Sequence, residues 1–297
     1  MRKNIKKSKD ELWRNVGSNF NKFLVPNRPS VENCSIYGSL VKKSIKNKNK
    51  PRVMLMGSTP EIRRVLYTAE FLNGAEVYCL DVNKSMFEAM SDLLIKSFNY
   101  KEKYFRHSWL ETKFPDESFD LIIGDEVICN VDSDCHENLF KEIYRLLKEN
   151  GSWVTRHDFY TDKVKKISID KILLDVSKKV EEGKDDFQQG INTLYVKLLF
   201  YFGWKYHREN SLLSQFNKIK EVYLKKLTND KLGKIIKELI NIFKNNFVKI
   251  GGDYKWYVLS EEDSDKELKR YFHIKGKYYA KDYPTCEFSP IYYLIKK

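Results

Sequence analysis

The sequence has no run of the roughly 20 uncharged apolar residues that a membrane-spanning helix requires, and its opening stretch MRKNIKKSKDELW puts basic side chains ahead of no apolar segment. A bilayer helix and a secretory leader are therefore not expected, and the reading is a cytoplasmic protein with no membrane partner. Cysteine is sparse. The five present (Cys34, Cys79, Cys129, Cys135 and Cys286) are an odd number without CxxC spacing, which argues against a zinc knuckle, a disulfide framework or an iron–sulfur site. They read as reduced thiols that pack. Also missing are the GxGxxG turn that admits a dinucleotide pyrophosphate, the GxxxxGK[ST] loop that cradles a nucleoside triphosphate, any aromatic RNP motif, and internal repeats.

What is there is a chain of 297 residues, 42% hydrophobic and 32% charged, long enough to bury a sizeable core beneath a highly charged surface. The formal charge is +13, unevenly placed. Lys and Arg exceed Asp and Glu by 10 over residues 1–50 and by 9 over 161–297, whereas acids lead by 6 over 51–160. Basic flanks of this kind can neutralise phosphates. The lysines are dispersed, however, and read equally as solvated helix faces, so a nucleic-acid partner is possible but not favoured.

Along the chain, a polar basic tail gives way at Asp10 to an apolar stripe, Trp13, Val16, Phe20, Phe23 and Leu24, at helical spacing. The stripe stops at Val25-Pro26. A connecting piece from Asn27 to Tyr37 leads to a second short helix and then to the linker KKSIKNKNK. From residue 51 apolar strands alternate with amphipathic helices: strands at Arg52 to Met56, Ala75 to Leu80, Tyr104 to His107, Phe119 to Ile123 and Ser152 to Thr155. That rhythm predicts an α/β fold, a doubly wound, mostly parallel Rossmann-like sheet with right-handed crossovers. After Tyr160 the rhythm breaks. Residues 162–248 read as helices only, with an aromatic cluster at Tyr195, Phe200, Tyr201, Phe202, Trp204 and Tyr206. A helix at Glu261 to Lys269, capped by Ser260 and Asp263, and strands at Tyr271 to Tyr279 and Ile291 to Ile295 then predict a C-terminal antiparallel hairpin. The expected organisation is a helical extension over 1–50, the core over 51–160, a helical cap or insertion over 161–250, and a closing helix and hairpin over 251–297.

Ligands of open α/β sheets bind at the carboxyl ends of the strands. The first strand ends in Gly57-Ser58-Thr59-Pro60-Glu61, where a glycine lets backbone approach a ligand and the hydroxyls and amides of Ser58 and Thr59 meet a helix start. The second ends at Asp81, 24 positions beyond that glycine, where a carboxylate can accept both ribose hydroxyls of an adenosine. Taken singly, Gly57 is an ordinary strand–helix turn and Asp81 a helix cap. The pair in consecutive units is much less expected by accident. Trp109, past the third strand, can lie on an adenine face or fill a half-buried core position. DLIIGDEV puts Gly124, Asp125 and Glu126 at the fourth strand end. Asp132, Asp134, His136 and Glu137 read as helix caps and first-turn acids rather than metal ligands, and no metal is expected.

The runs VMLMGSTPEIRRVL, VYCLDVNKSMFEAM, HSWLETKFPDESFDLIIGDEV and EIYRLLKENGSWVTRHDFY resemble the successive motifs of the class I S-adenosylmethionine-dependent methyltransferases. The resemblance is closest to bacterial members with TPE after the first glycine. It covers residues 51–160 and, more loosely, the WRNV…PNRPS region and the C-terminal hairpin. It implies S-adenosyl-L-methionine as cofactor, with Gly57, Ser58 and Thr59 facing it, Asp81 on its ribose, Ser108 and Trp109 at its adenine and Asp125 at its amino-acid moiety. The usual second and third glycines of the first motif are replaced by Ser58, Thr59 and Pro60. Asn-Pro-Pro-Tyr and catalytic Pro-Cys, the marks of nucleobase amino and cytosine-carbon methylation, are absent. The expected acceptor is a small or otherwise diffusible molecule, with Arg156 and His157, just beyond the fifth strand, as the residues to touch it. His157 is equally readable as a packing residue. Two other functions stand beside this one: an RNA-binding methyltransferase or non-catalytic adapter using the basic flanks, and a nucleotide-binding oxidoreductase on the same fold. The sequence leaves the acceptor, the atom methylated and the oligomeric state open.

Overall fold

A computed structural model describes residues 13–14, 16–68, 74–96, 99–161, 168–206, 220, 223, 227, 230–244, 257–283 and 285–297. The basic tail before residue 11, Asn73 of the expected helix stop and much of the stretch after Tyr206 lie outside them.

The described residues form two compact units, one from 28–158 with 261–297 and the other from 1–27 with 159–260. In the first, seven strands make one sheet: β1 (Arg52–Met56), β2 (Glu76–Leu80), β3 (Lys103–Phe105), β4 (Phe119–Asp125), β5 (Leu147–Arg156), β8 (Phe272–Tyr278) and β9 (Ile291–Lys296). Their order is β3-β2-β1-β4-β5-β9-β8. The first five are mutually parallel, and β9 runs antiparallel to both β5 and β8. This is the Rossmann-like sheet with a C-terminal antiparallel pair. Val53, Met54 and Leu55 in β1 and Leu121, Ile122 and Ile123 in β4 are fully buried, so the central strands are apolar on both faces. The order reverses at β1, so the carboxyl ends of β1 and β4 flank the topological switch point.

Helices α1 (Val31–Ile45), α2 (Pro60–Thr68), α3 (Lys84–Asp92), α4 (His136–Leu146) and α8 (Glu261–Leu268) complete this unit. Helix α1 begins earlier than the expected connecting piece allowed, because Ser30 and Asn33 form a capping box: Asn33 N–H donates to Ser30 Oγ (3.0 Å) and Ser30 N–H to Asn33 Oδ1 (3.1 Å). Tyr37, Leu40, Val41 and Ile45 then bury one face against Val53, Ile62, Val65 and Val77. The stretch 1–50 is therefore divided: α1 packs into the sheet's core, whereas residues up to Asn27 group with the other unit. Neither Asp132 nor Asp134 caps α4, whose N-cap position is held by Cys135. Strand β5 starts at Leu147, five residues before the expected Ser152, because Asn150 at φ 59° and Gly151 lie in an irregular stretch of the β4–β5 ladder rather than ending a helix.

The other unit contains α5 (Ile169–Glu181), α6 (Phe187–Tyr206), α7 (Lys231–Phe243) and a short parallel pair, β6 (Phe159–Tyr160) and β7 (Leu259–Ser260). Ser168 caps α5 and Asp230 caps α7. Ile172, Val176, Ile191, Leu194, Leu198 and Leu239 form its core. A Cβ on Gly190 would stand 2.7 Å from Val180 Cγ2, so only glycine permits this approach of α6 to α5. Among the described residues no helix is long and apolar enough to cross a membrane.

Candidate active site

The turn from β1 into α2 is built on Gly57, whose φ of +86° is strained for any residue with a side chain. Ser58 follows, buried, and its hydroxyl donates to Asp81 Oδ2 (3.3 Å). Thr59 is half-buried and its carbonyl accepts Arg63 N–H at 3.1 Å, opening α2 at Pro60. Asp81, at the end of β2, is only 9% exposed. Its Oδ1 accepts the Asn83 amide at 2.9 Å. Burial raises its pKa to about 6, more than the Asn83 amide, the Ser58 hydroxyl and the Val82 amide lower it. These partners are neutral donors, two backbone amides and one hydroxyl.

Trp109 leans over this edge. Its ring N–H donates to Leu80 O (2.9 Å), and its six-membered ring lies 3.5 Å from where a Cβ on Gly57 would stand. Ser108 is exposed and spends its hydroxyl on the Leu110 amide (3.2 Å). Gly57, Ser58, Asp81 and Trp109 therefore come together, with Thr59 at their rim, and Ser108 adjoins them only through the chain.

The ends of β4 and β5 differ. Arg156 grips Asp125 with two parallel bonds, Nε to Oδ1 and a terminal nitrogen to Oδ2, both 2.9 Å. Tyr37 of α1 lies 3.0 Å from Asp125 Oδ1 through its hydroxyl, which also accepts the Arg156 amide at 2.8 Å. Arg156 and His157 have no exposed surface. The His157 ring is held between Cys129 Sγ (3.3 Å from Nδ1) and Ser264 Oγ (3.0 Å from Nε2), and burial lowers its pKa to about 3. The expectation that Arg156 and His157 touch an acceptor is corrected by this geometry: the polar groups of both turn inward, onto partners in the same unit. Asp125, expected at the cofactor's amino-acid moiety, is already largely saturated.

Beside them Glu126 adopts φ 55°, rare for a residue with a side chain, and lies 3.1 Å from Arg156 Nε without the alignment of a hydrogen bond. Burial pushes the Glu126 and Asp158 carboxyls upward, and the Asp158 charge raises Glu126 further. His136 is buried, with Nε2 facing the carbonyls of Ile128 and Val131 and Nδ1 facing Glu267. Among the described residues no group of three or more His, Cys, Asp or Glu side chains is placed to hold a metal ion.

Sequence reasoning missed Tyr37, which lay inside the expected connecting piece, and the pairing of Arg28 with Glu61. Both members of that pair sit in quoted motifs, PNRPS and TPE, but nothing in their spacing of 33 residues says that they meet.

Residues 62–155 match the family model of a methyltransferase domain. The match covers about a third of the chain. No curated protein matches the sequence. Among solved structures, the chain is similar to a protein from Rhodobacter sphaeroides provisionally assigned to the Zn-dependent alcohol dehydrogenases, at 17% identity and TM-score 0.56 over 98% of this chain and 99% of that one. At that identity the likeness is one of fold. A provisionally assigned S-adenosylmethionine-dependent methyltransferase from Listeria monocytogenes matches at 13% identity and TM-score 0.48, over 90% of this chain and 100% of that one. The Burkholderia thailandensis 1,6-didemethyltoxoflavin-N1-methyltransferase matches at 9% identity and TM-score 0.47, over 89% and 78%.

Proposed function

We propose that the chain is an S-adenosyl-L-methionine-dependent methyltransferase that acts on a small or otherwise diffusible acceptor by in-line methyl transfer, with S-adenosyl-L-methionine seated on the carboxyl ends of β1 and β2. The observation that carries this reading is the meeting of Gly57, Ser58 and Asp81, from two consecutive strand–helix turns, around one buried carboxylate held by neutral donors. Asp81 would take the ribose hydroxyls as charge-assisted bonds, Gly57 would let backbone approach the thioether region, and Trp109 would wall the adenosine side. Thr59 and Ser108 would serve as rim contacts.

S-adenosylmethionine supplies a methyl carbon on a sulfonium that is already a good leaving group. What remains for the protein is alignment, and effective molarity accounts for much of such a rate. Asp125, Arg156 and His157 support this by rigidity: the Arg156 fork and the Tyr37 hydroxyl fix the β4 end.

Calorimetric titration with S-adenosylhomocysteine and, separately, NADH tests the proposal. Saturable binding of the first is expected. Binding of the nicotinamide cofactor alone would turn the reading to an oxidoreductase, and tight, salt-sensitive RNA binding would turn it to a nucleic-acid acceptor.

A further inference from the structure

Arg63 has no part in the site so far, yet it joins the two helices that leave the site's two turns. It closes the first turn of α2, the helix after Gly57, and its side chain is 3% exposed. One terminal nitrogen donates to Ser91 Oγ (2.9 Å) on α3, the helix after Asp81. The other donates to Glu102 Oε1, just ahead of β3, in a side chain as deeply buried as its own. The guanidinium also stands 4.7 Å from the centre of the Phe87 ring of α3, within cation–π range.

From there the contacts run on to the backbone of Asp81. Phe87 stacks on Tyr104 of β3, ring centroids 4.5 Å apart, and the Tyr104 hydroxyl donates to the Asp81 carbonyl at 3.0 Å. On the α2 side, the Arg63 amide donates to the carbonyl of Thr59, the residue after Ser58, whose hydroxyl meets Asp81 Oδ2. Arg63 is thus linked, through its amide and through its guanidinium, to both turns that meet at Asp81. A buried ion pair gains little stability over apolar residues of the same volume, and its best-attested use is to fix the register of the elements it joins. Here those elements are α2, α3 and the approach to β3.

We propose that Arg63 is a positioning residue: by bonding α2 to α3 and to Glu102 it sets the span between the Gly57 turn and Asp81, and with it the fit of the cofactor's ribose. The inference rests on the cofactor assignment proposed above and adds to it a residue that touches no ligand. Arg63 then matters to binding only through Asp81. Coupling carried by packed side chains is established by a double-mutant cycle rather than by proximity.

The test measures S-adenosylhomocysteine affinity by calorimetry on the full chain for wild type, Arg63→Met, Asp81→Ala and the double variant. Arg63→Met should lose about tenfold in the wild-type background and less than about twofold where Asp81 is already alanine. A general strut of the fold lowers the melting temperature in both backgrounds but gives binding no such dependence on Asp81. Equal losses of affinity in both backgrounds would therefore overturn the proposal, as would undiminished binding by Arg63→Met. Removing Arg63 alone leaves Glu102 buried and uncompensated. Should Arg63→Met lack a cooperative thermal transition, Arg63→Met combined with Glu102→Leu, which takes out the whole pair, is put through the same cycle and read by the same outcomes. Wild-type protein that does not bind S-adenosylhomocysteine would instead overturn the cofactor assignment, and this inference with it.

Discussion

Two strand ends of one sheet carry acidic residues of similar burial and behave in opposite ways. At β2, Asp81 has one side-chain donor and a pKa near 6. At β4, Asp125 has a guanidinium fork and a tyrosine hydroxyl. A buried carboxylate costs stability until donors surround it. The β4 end meets that cost with the chain's own residues, whereas the β2 end leaves it partly unmet. An unmet requirement at a strand end beside a positive-φ glycine is what a ligand can satisfy, and the contrast separates a binding residue from a framing one where sequence alone treats them alike.

The largest effect should come from breaking the saturated end. Arg156→Met removes the cation from Asp125 and from the neighbourhood of Glu126, leaving buried acids uncompensated, and should cost roughly 3–5 kcal/mol in urea denaturation. Arg156→Lys should recover only part of that, because an ammonium cannot reproduce the two parallel bonds. A loss below about 1 kcal/mol for Arg156→Met would mean the network is not the frame described. At the unsaturated end the expected loss is in binding rather than stability. Asp81→Ala should fold normally and bind S-adenosylhomocysteine roughly 10- to 100-fold more weakly, and unaltered affinity would remove Asp81 from the ribose.

The order of strands and helices was legible because apolar runs and helical stripes alternate from Arg52 to Thr155, and the pair Gly57 and Asp81 was legible because each ends a strand. Other parts were not. The start of α1 depended on a Ser-x-x-Asn box in which asparagine stands for the more familiar glutamate, so Tyr37 was taken for connection. Arg156 and His157 follow a strand end just as Asp81 does, and only the partners supplied by Tyr37, Ser264 and Cys129, remote in sequence, show that they face inward. The division of residues 1–50 between two units likewise depends on which face of α1 finds the sheet.

Asp81 also makes the comparison sensitive to pH. Its folded pKa of about 6 lies above the usual carboxylate value, so the folded protein holds a proton that the unfolded chain has released. Its contribution to stability therefore declines as pH rises from about 4 to about 6, and the cost persists above that. Asp81→Asn should accordingly stabilise the ligand-free protein at pH 8, by on the order of 1–3 kcal/mol, while weakening cofactor binding. Binding has the opposite sign. Ribose hydroxyls need the charged carboxylate, so wild-type affinity for S-adenosylhomocysteine should fall as pH drops through about 6, by at most about tenfold per unit. A flat profile between pH 5 and 8 would show that Asp81 does not titrate in this way.

The smallest effect is expected at His157, and it tests the saturated end from the side of chemistry. A general base works best with a pKa near the working pH and within reach of the proton it removes. His157 has neither property: its pKa is about 3 because burial disfavours the imidazolium, and its two nitrogens face Cys129 and Ser264. A side chain that keeps a donor and an acceptor in similar volume should replace it at little cost. His157→Gln should lose about 1 kcal/mol of stability, the usual scale of one imperfect hydrogen bond. Turnover per folded molecule should stay within a few-fold of wild type once an acceptor is in hand, even for an alcohol or phenol whose proton must leave. A fall of about 10²-fold in kcat on such an acceptor, with S-adenosylhomocysteine affinity intact, would show that the ring reaches the acceptor after all. The β5 end would then join the β2 end as a reacting surface, and the contrast between them would fail.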